Sequence, residues 1–544
     1  MSKNVMKGII SLVLCTALSI ANCQNIKPKL VIGIVVDQMK QDYLNRYGDR
    51  FGEGGFSKLI SDGFMCENTH YNYIPTVTAA GHASIYTGTT PRYHGIIGNS
   101  WYSKKQERMV YCVGDENESA IGGSEHSGHF SPRNLATTTI TDELKLSTNF
   151  QSKVISISIK DRGSVLPAGH NPDGAFWYDG KTGNFVTSTY YSQSLPGWVA
   201  QFNAKELVNK YLDGEWAPLL DIESYSASTE DNVNYENTFR GIDEPTFPYH
   251  LAELRKKNGP YELIMNTPFG NSITLDMAKD AVMGESMGSD DITDFLAVSI
   301  SSTDKIGHQF GPNSIEIEDT YLRLDRDLEK FIDFLDEKVG EDNYLIFLTS
   351  DHAAALNPTY LQDQKMPAGT FKSSDIKSTL QKALTESFGE GDWIKSFSNY
   401  QFFLNQDLIP SSGYEEVINT GKKALMEMES IAEVYTAKEV LDAPAYDHLG
   451  IKLNNGYNRQ LSGDLMVVLK SGYLFGSEGR AGTDHGSGYV YDTHVPLLFY
   501  GKGIKNGSTT RKVAITDIAP TISMILNISL PSACTGEPIK ELFD

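Results

Sequence analysis

Acidic residues and histidines recur where apolar runs of this 544-residue chain end. Leu30–Val36 runs into Asp37, and residues 295–300 run into Ser301-Ser302-Thr303-Asp304, with His308 four positions on. Residues 344–348 lead to Asp351-His352, and Asp484-His485 precedes another apolar run at 495–500. One carboxylate after a strand can simply cap the next helix. Three of them, with histidines at 308, 352 and 485, offer hard oxygens and imidazoles, the donor set that suits zinc.

A nucleophile is available beside this set. The segment 72–82 contains Pro75-Thr76-Val77-Thr78 and follows the first apolar run, and residues 83–87 read as the start of a helix. A hydroxyl at a helix N-terminus meets unpaired amide donors and the positive end of the dipole. An alcohol is a weak nucleophile until a metal ion or a base lowers its pKa. Thr78 is the candidate, although a threonine there can equally serve as an N-cap. The run 154–159 ends in Lys160-Asp161-Arg162. If strand geometry continues, Lys160 and Arg162 share a side, where a guanidinium can grip two phosphoryl oxygens and an ammonium adds a point charge. The plainer alternative is that they face solvent or pair with Asp161.

These residues need a rigid frame. The runs 30–36, 154–159, 295–300, 344–348 and 495–500 are rich in Val, Ile, Leu and Phe without strict alternation, as strands covered on both faces should be. Ile317, Tyr321, Leu324, Leu328, Phe331 and Leu335 form one helical stripe, with Gly340 as a stop, and a second helix is expected over 517–526. Strand–helix alternation implies an α/β fold, a mostly parallel sheet flanked by helices on both faces, with ligands at the carboxyl ends of the strands. Residues 25–544 then form one catalytic domain, and two stretches of different character, about 164–290 and 355–480, read as cap-like insertions.

Residues 1–24 have the pattern of a signal peptide, with Lys3 and Lys7 before an apolar stretch too short to span a bilayer. The expected location is periplasmic or secreted, with a lipoprotein anchored at Cys23 as the minor alternative and no stable membrane span. A formal charge of -22 argues against a nucleic-acid partner and means that an anionic substrate must be drawn by local positive charge, such as bound metal. Cys66 and Cys112 could pair in an oxidising compartment, leaving Cys534 over.

In combination, Asp37, Pro75-Thr76-Val77-Thr78, Asp304-Lys305-Ile306-Gly307-His308-Gln309-Phe310-Gly311-Pro312, Asp351-His352 and Asp484-His485-Gly486 resemble the alkaline phosphatase superfamily, in its nucleotide pyrophosphatase/phosphodiesterase branch. Asn99 and the Ser-Ile-Lys-Asp-Arg segment narrow the resemblance to the PafA-type bacterial alkaline phosphatases. That resemblance implies two zinc ions, one held by Asp304, His308 and His485, the other by Asp37, Asp351 and His352 with Thr78 alongside. It implies a phosphothreonine at Thr78, an Asn99/Lys160/Arg162 clamp on the phosphoryl oxygens, and broad small-molecule phosphate monoesters as substrates of a monomeric enzyme. The Asp-Ser-Ala and Cys-x-Pro-x-Arg nucleophile segments of other branches are absent, so no third magnesium site is assumed. A phosphodiesterase or nucleotide pyrophosphatase, and a non-catalytic phosphate- or metal-binding relative, are the alternatives. His82 and His94 read as structural, Asp484 as a partner that orients His485, and Phe176-Trp177-Tyr178 as core.

Overall fold

A computed structural model describes residues 27–410, 412–476 and 482–543. The leader and Cys23 lie outside the described residues.

The frame is a ten-stranded sheet. Its order is Gly507–Thr509, Phe64–Cys66, Leu497–Gly501, Tyr344–Thr349, Leu30–Val36, Asp294–Ile300, Val154–Ser158, Gly174–Asp179, Asn184–Ser188 and Ala120–Ile121. The five strands from Tyr344–Thr349 to Gly174–Asp179 run parallel. Leu497–Gly501 and Asn184–Ser188 are antiparallel to both their neighbours, so antiparallel strands flank the expected parallel core and the sheet as a whole is mixed. An apolar run reports burial on two faces but not direction, which the connections set. The 495–500 run also divides: His494–Val495 pairs with Thr69–His70, and Pro496, which has no N–H to give a ladder, separates it from Leu497–Gly501.

The first strand shows why the core is two-sided. Leu30, Ile32, Ile34 and Val36 enter one apolar cluster, and Val31 and Val35 enter the other. Helices Phe269–Gly284 and Ile315–Lys338 cover the first face, and Thr78–Thr87 and Ile518–Leu526 the second. At Gly33 a Cβ would lie 2.5 Å from the Phe347 ring, so the middle of this strand has no room for a side chain. Helix Ile315–Lys338 carries the expected buried stripe; Ser314 caps it by accepting the Ile317 N–H, and Gly340 follows it at φ 97°.

The first presumed insertion is not set apart from the sheet. Within 164–290, Gly174–Asp179 and Asn184–Ser188 extend the sheet, and Phe269–Gly284 packs against it. Phe176, Trp177 and Tyr178 are buried, as the sequence suggested. The 355–480 stretch differs. Its strands Ile394–Ser398, Gln401–Leu404, Leu465–Leu469 and Ile431–Thr436 form a separate sheet, and helices Ser373–Phe388 and Tyr414–Met426 enclose a separate core on it. Cys66 and Cys112 lie in different clusters, and all three described cysteines are free, so the disulfide considered above is not made. Among the described residues no helix is long and apolar enough to cross a membrane.

Candidate active site

Register brings the acidic strand ends together. Val36 pairs with Ile300 and Val35 with Thr349, so Asp37, the start of helix Ser302–Phe310 with Asp304, and Asp351 emerge at one edge of three adjacent strands. Asp37, Asp351 and His352 each bring a ligand atom within 4.8 Å of the others, as do Asp304, His352 and His485, and again His308, Asp484 and His485. Asp304 Oδ1 lies 3.1 Å from His308 Nε2 and 3.7 Å from His485 Nε2. His352 Nε2 lies 3.5 Å from Asp37 Oδ1 and 3.7 Å from Asp351 Oδ2. The His352 and His485 rings stack with centroids 3.5 Å apart, which joins the two halves into one site.

The backbone sets the histidine tautomers. Nδ1 of His308 faces the Thr483 carbonyl at 2.8 Å, that of His485 the Thr76 carbonyl at 2.7 Å, and that of His352 the Ala353 carbonyl at 3.0 Å. A carbonyl only accepts, so each ring carries its proton on Nδ1 and turns the Nε2 lone pair towards the acids, as metal-binding imidazoles do. Burial holds His352 below its ordinary pKa, and burial with the neighbouring rings of His352 and His308 holds His485 well below it. His308 goes the other way: Asp304 outweighs its burial and pushes it up to about 9.

Asp37 Oδ1, Asp351 Oδ2 and His352 Nε2 are buried and have no hydrogen-bond partner. Leaving such atoms unpaired costs roughly 1–3 kcal/mol each, more when charged. Three of them converging is the donor set of a bound cation. Burial, then the charge of Asp37, pushes Asp351 well above the usual carboxylate range, another sign of negative charge awaiting a counter-ion. Both oxygen and imidazole donors are present, so the residues fit zinc.

The strand does not continue into the basic residues. The strand stops at Ser158, Lys160 stands just before helix Asp161–Ala168, and Ser158 Oγ accepts the Lys160 N–H. The strand alternation therefore ends before Lys160, yet both basic groups stay near the site, since Lys160 and Arg162 each feel the charge of Asp37. Lys160 Nζ sits between Asp37 Oδ2 at 2.7 Å and Asp304 Oδ2 at 2.6 Å, one carboxylate from each half of the site. Burial works against its charge, but Asp304 and Asp37 outweigh it and raise its pKa. Arg162 donates to the Tyr111 hydroxyl at 3.3 Å, which itself donates to Asp161, and Arg162 Nε is buried without a partner.

Thr78 is buried and opens helix Thr78–Thr87, which begins five residues earlier than the sequence suggested. Asn99 Oδ1 accepts the Ala79 N–H at 2.9 Å, which fixes the amide and leaves its NH2 group as a donor. His82 bonds the Thr78 carbonyl and Ser299, and burial pushes it down to about 4; His94 bonds Ser84 and the Ile96 amide, and burial pushes it to about 3. Both are neutral structural groups. Asp484 does not orient the His485 ring: its Oδ1 takes the His485 backbone N–H, and the ring is held by Thr76. Its carboxylate instead joins His308 and His485.

Gln38 escaped the sequence reading. At φ 65° it gives its backbone N–H to Asp351 Oδ1 at 3.2 Å and its side-chain amide to Asp304 Oδ1 at 2.7 Å, so it braces a carboxylate in each half. The signal was Gly307: a Cβ there would lie 1.9 Å from Gln38 Oε1, which explains the glycine between Asp304 and His308.

Residues 31–488 match the type I phosphodiesterase / nucleotide pyrophosphatase family. The chain is 48% identical over 522 residues to a Myroides odoratus protein named calcium-transporting ATPase, covering 95% of each. It is 47% identical over 521 residues to alkaline phosphatase PafA of Elizabethkingia meningoseptica, covering 95% of this chain and 94% of that one. The crystal structure of wild-type PafA superposes with a TM-score of 0.92 at 46% identity, covering 95% of this chain and 99% of that one. The chain therefore belongs to the type I phosphodiesterase / nucleotide pyrophosphatase family of the alkaline phosphatase superfamily, in company with the PafA-type alkaline phosphatases.

Proposed function

We propose that this protein is an alkaline phosphatase that hydrolyses phosphate monoesters through a phosphothreonine at Thr78. The convergence of three unpartnered buried ligand atoms, from Asp37, Asp351 and His352, carries the reading. Two zinc ions would be held by Asp304, His308 and His485 and by Asp37, Asp351 and His352 with Thr78. Bound there, they supply positive charge and lower the pKa of the oxygens they touch.

The chain's own groups do the rest. The Thr78 oxygen attacks phosphorus as the bond to the leaving oxygen breaks; the hydroxyl proton passes to solvent, and the leaving oxygen takes one up from solvent as the alcohol departs. Its place on the first helical turn puts the positive end of the helix dipole beside the developing charge. Asn99, its carbonyl engaged by Ala79, offers its NH2 to a phosphoryl oxygen. Lys160 and Arg162 answer the extra charge that a monoester carries over a diester. Water then takes the phosphoryl group from Thr78 and releases inorganic phosphate. The terminal phosphoryl group of ATP presents the same charge pattern, so the name of the Myroides relative is compatible with this chemistry. The leader composition supports export to the periplasm or beyond.

The test is turnover of p-nitrophenyl phosphate, bis-p-nitrophenyl phosphate and ATP at alkaline pH, before and after metal removal and zinc restoration. Monoester turnover that exceeds diester turnover by orders of magnitude and returns only with zinc is expected. The reverse preference would make the protein a phosphodiesterase, and inactivity with two zinc ions bound would make it a binding protein.

A further inference from the structure

The 355–480 stretch touches the site at several points, such as Lys452 and Asn455 on the 72–74 loop, and one of them is a tight turn. Strands Ile394–Ser398 and Gln401–Leu404 are joined by Asn399-Tyr400 alone, since Ser398 pairs with Gln401. Both turn residues are left-handed, at φ 51° and φ 59°. A two-residue hairpin of this kind favours Asn-Gly, because glycine has no Cβ to clash there. Asparagine suits the first position. A tyrosine at the second is an outlier, and such outliers persist where the surroundings hold them in place.

The two side chains point to opposite halves of the site. Asn399 Nδ2 donates to the Ser100 carbonyl at 2.7 Å, and a Cβ on Gly98 would lie 2.4 Å from that same nitrogen. Asn399 therefore packs on both neighbours of Asn99. Tyr400 reaches the segment that carries His485. Its hydroxyl lies 3.4 Å from the His485 carbonyl, and a Cβ on Gly486 would lie 2.9 Å from its ring. The ring is backed from behind by Phe475, stacked at 4.8 Å, and the Tyr400 carbonyl accepts the Val467 N–H at 2.8 Å.

We infer that Asn399 and Tyr400 are positioning residues, one for the phosphate-binding amide of Asn99 and the other for the metal ligand His485, and that the 355–480 core serves to brace them. This deepens the proposed phosphatase reading and rests on it for the role of Asn99. The left-handed backbone makes the idea separable from plain structural support. Glycine at either position keeps or eases the turn conformation while removing one contact.

The experiment compares Asn399→Gly, Tyr400→Gly and Tyr400→Phe in the full-length zinc-loaded protein. Asn399→Gly should weaken inhibition by inorganic phosphate and lower kcat/KM about tenfold or more, because a small misplacement of a phosphate contact is costly, while zinc is lost to a chelator no faster than from the parent. Tyr400→Gly should lose zinc about tenfold or more faster, the scale seen when groups supporting a metal ligand are removed. Tyr400→Phe, which keeps the ring, should restore most of that retention. Both glycine variants should melt within a few degrees of the parent. Unchanged phosphate inhibition in Asn399→Gly, or unchanged zinc retention in Tyr400→Gly, would overturn the assignment. So would equal losses of both properties with a matching fall in melting temperature. An inactive parent would sink the phosphatase reading instead, and zinc retention would still report on Tyr400.

Discussion

Asp319 and Asp351 are both fully buried, and the chain treats them in opposite ways. Asp319 accepts four hydrogen bonds, from Trp216 Nε1 and the Tyr225 hydroxyl at 2.7 Å and from the Leu219 amide and Arg323 Nε at 2.6 Å. Every donor fastens the 216–225 segment or the long helix, so this carboxylate is scaffold. Asp351 accepts one hydrogen bond, from the Gln38 backbone N–H, and its Oδ2 has no hydrogen-bond partner. Burial alone does not mark a functional acid. The mark is convergence: Asp351 Oδ2 is open beside the open Asp37 Oδ1 and His352 Nε2, all three within ligand distance of one another.

That contrast can be broken in four ways, and the first has the largest effect. Thr78→Ala and Asp351→Asn should each lower p-nitrophenyl phosphate turnover by about 10³-fold or more. Metal-free Asp351→Asn should melt no lower than the parent, because it removes a charge that faces Asp37. A calorimetric melt that fell as far as that of an Asp319 variant would erase the distinction. Asp319→Asn should do the reverse: a loss of about 3 kcal/mol in urea unfolding, as for a buried pair that is broken, with turnover per folded molecule within about threefold of the parent.

Third, Lys160→Ala with Arg162→Ala should depress monoester turnover by about 100-fold more than diester turnover, since charge-assisted contacts answer the extra phosphoryl charge. Equal losses on the two substrates would defeat the clamp. The smallest effect concerns a satisfied pair away from the site. Asp142 accepts from His170 Nδ1 at 3.0 Å. Burial opposes it, but His170 and the surrounding donors hold Asp142 below its ordinary pKa, and its bond to Asp142 raises His170. The Asp142 contribution is complete above its unfolded pKa of 3.8 and is lost as pH falls through the lower folded value. The His170 contribution is complete below 6.5 and is lost as pH rises through the raised folded value. The stability gap between the parent and Asp142→Asn should be widest between these limits, and a urea midpoint difference flat from pH 3 to pH 9 would contradict it.

The strand ends were legible because a buried parallel strand announces itself by composition, and the residue after it falls at the ligand edge. Leu30–Val36 with Asp37 is the clearest case. The stripe of helix Ile315–Lys338 was legible for a similar reason, since its period is local. What stayed hidden was decided by distant partners. Strand alternation cannot place Lys160 and Arg162, because a helix starts between them at Asp161. The direction of Leu497–Gly501 depends on its connections and not on its own apolar pattern. Gln38 carries no motif, and only the space above Gly307 reveals it. The 164–290 stretch looked foreign because its polar and aromatic composition differs from that of the other strand regions, although Phe176-Trp177-Tyr178, read as core, lie on a strand of the main sheet.

The bond from His485 Nδ1 to the Thr76 carbonyl spans 409 positions. During synthesis the amino-terminal end emerges first. The loop beside Thr78 is therefore made long before the ring it orients exists, and two parallel strands, with their slow long-range pairing, must already be in register for the two to meet. The site cannot close on a growing chain that lacks its last sixty or so residues. Until then the group of metal-ligand candidates that His485 completes with His308 and Asp484 does not exist.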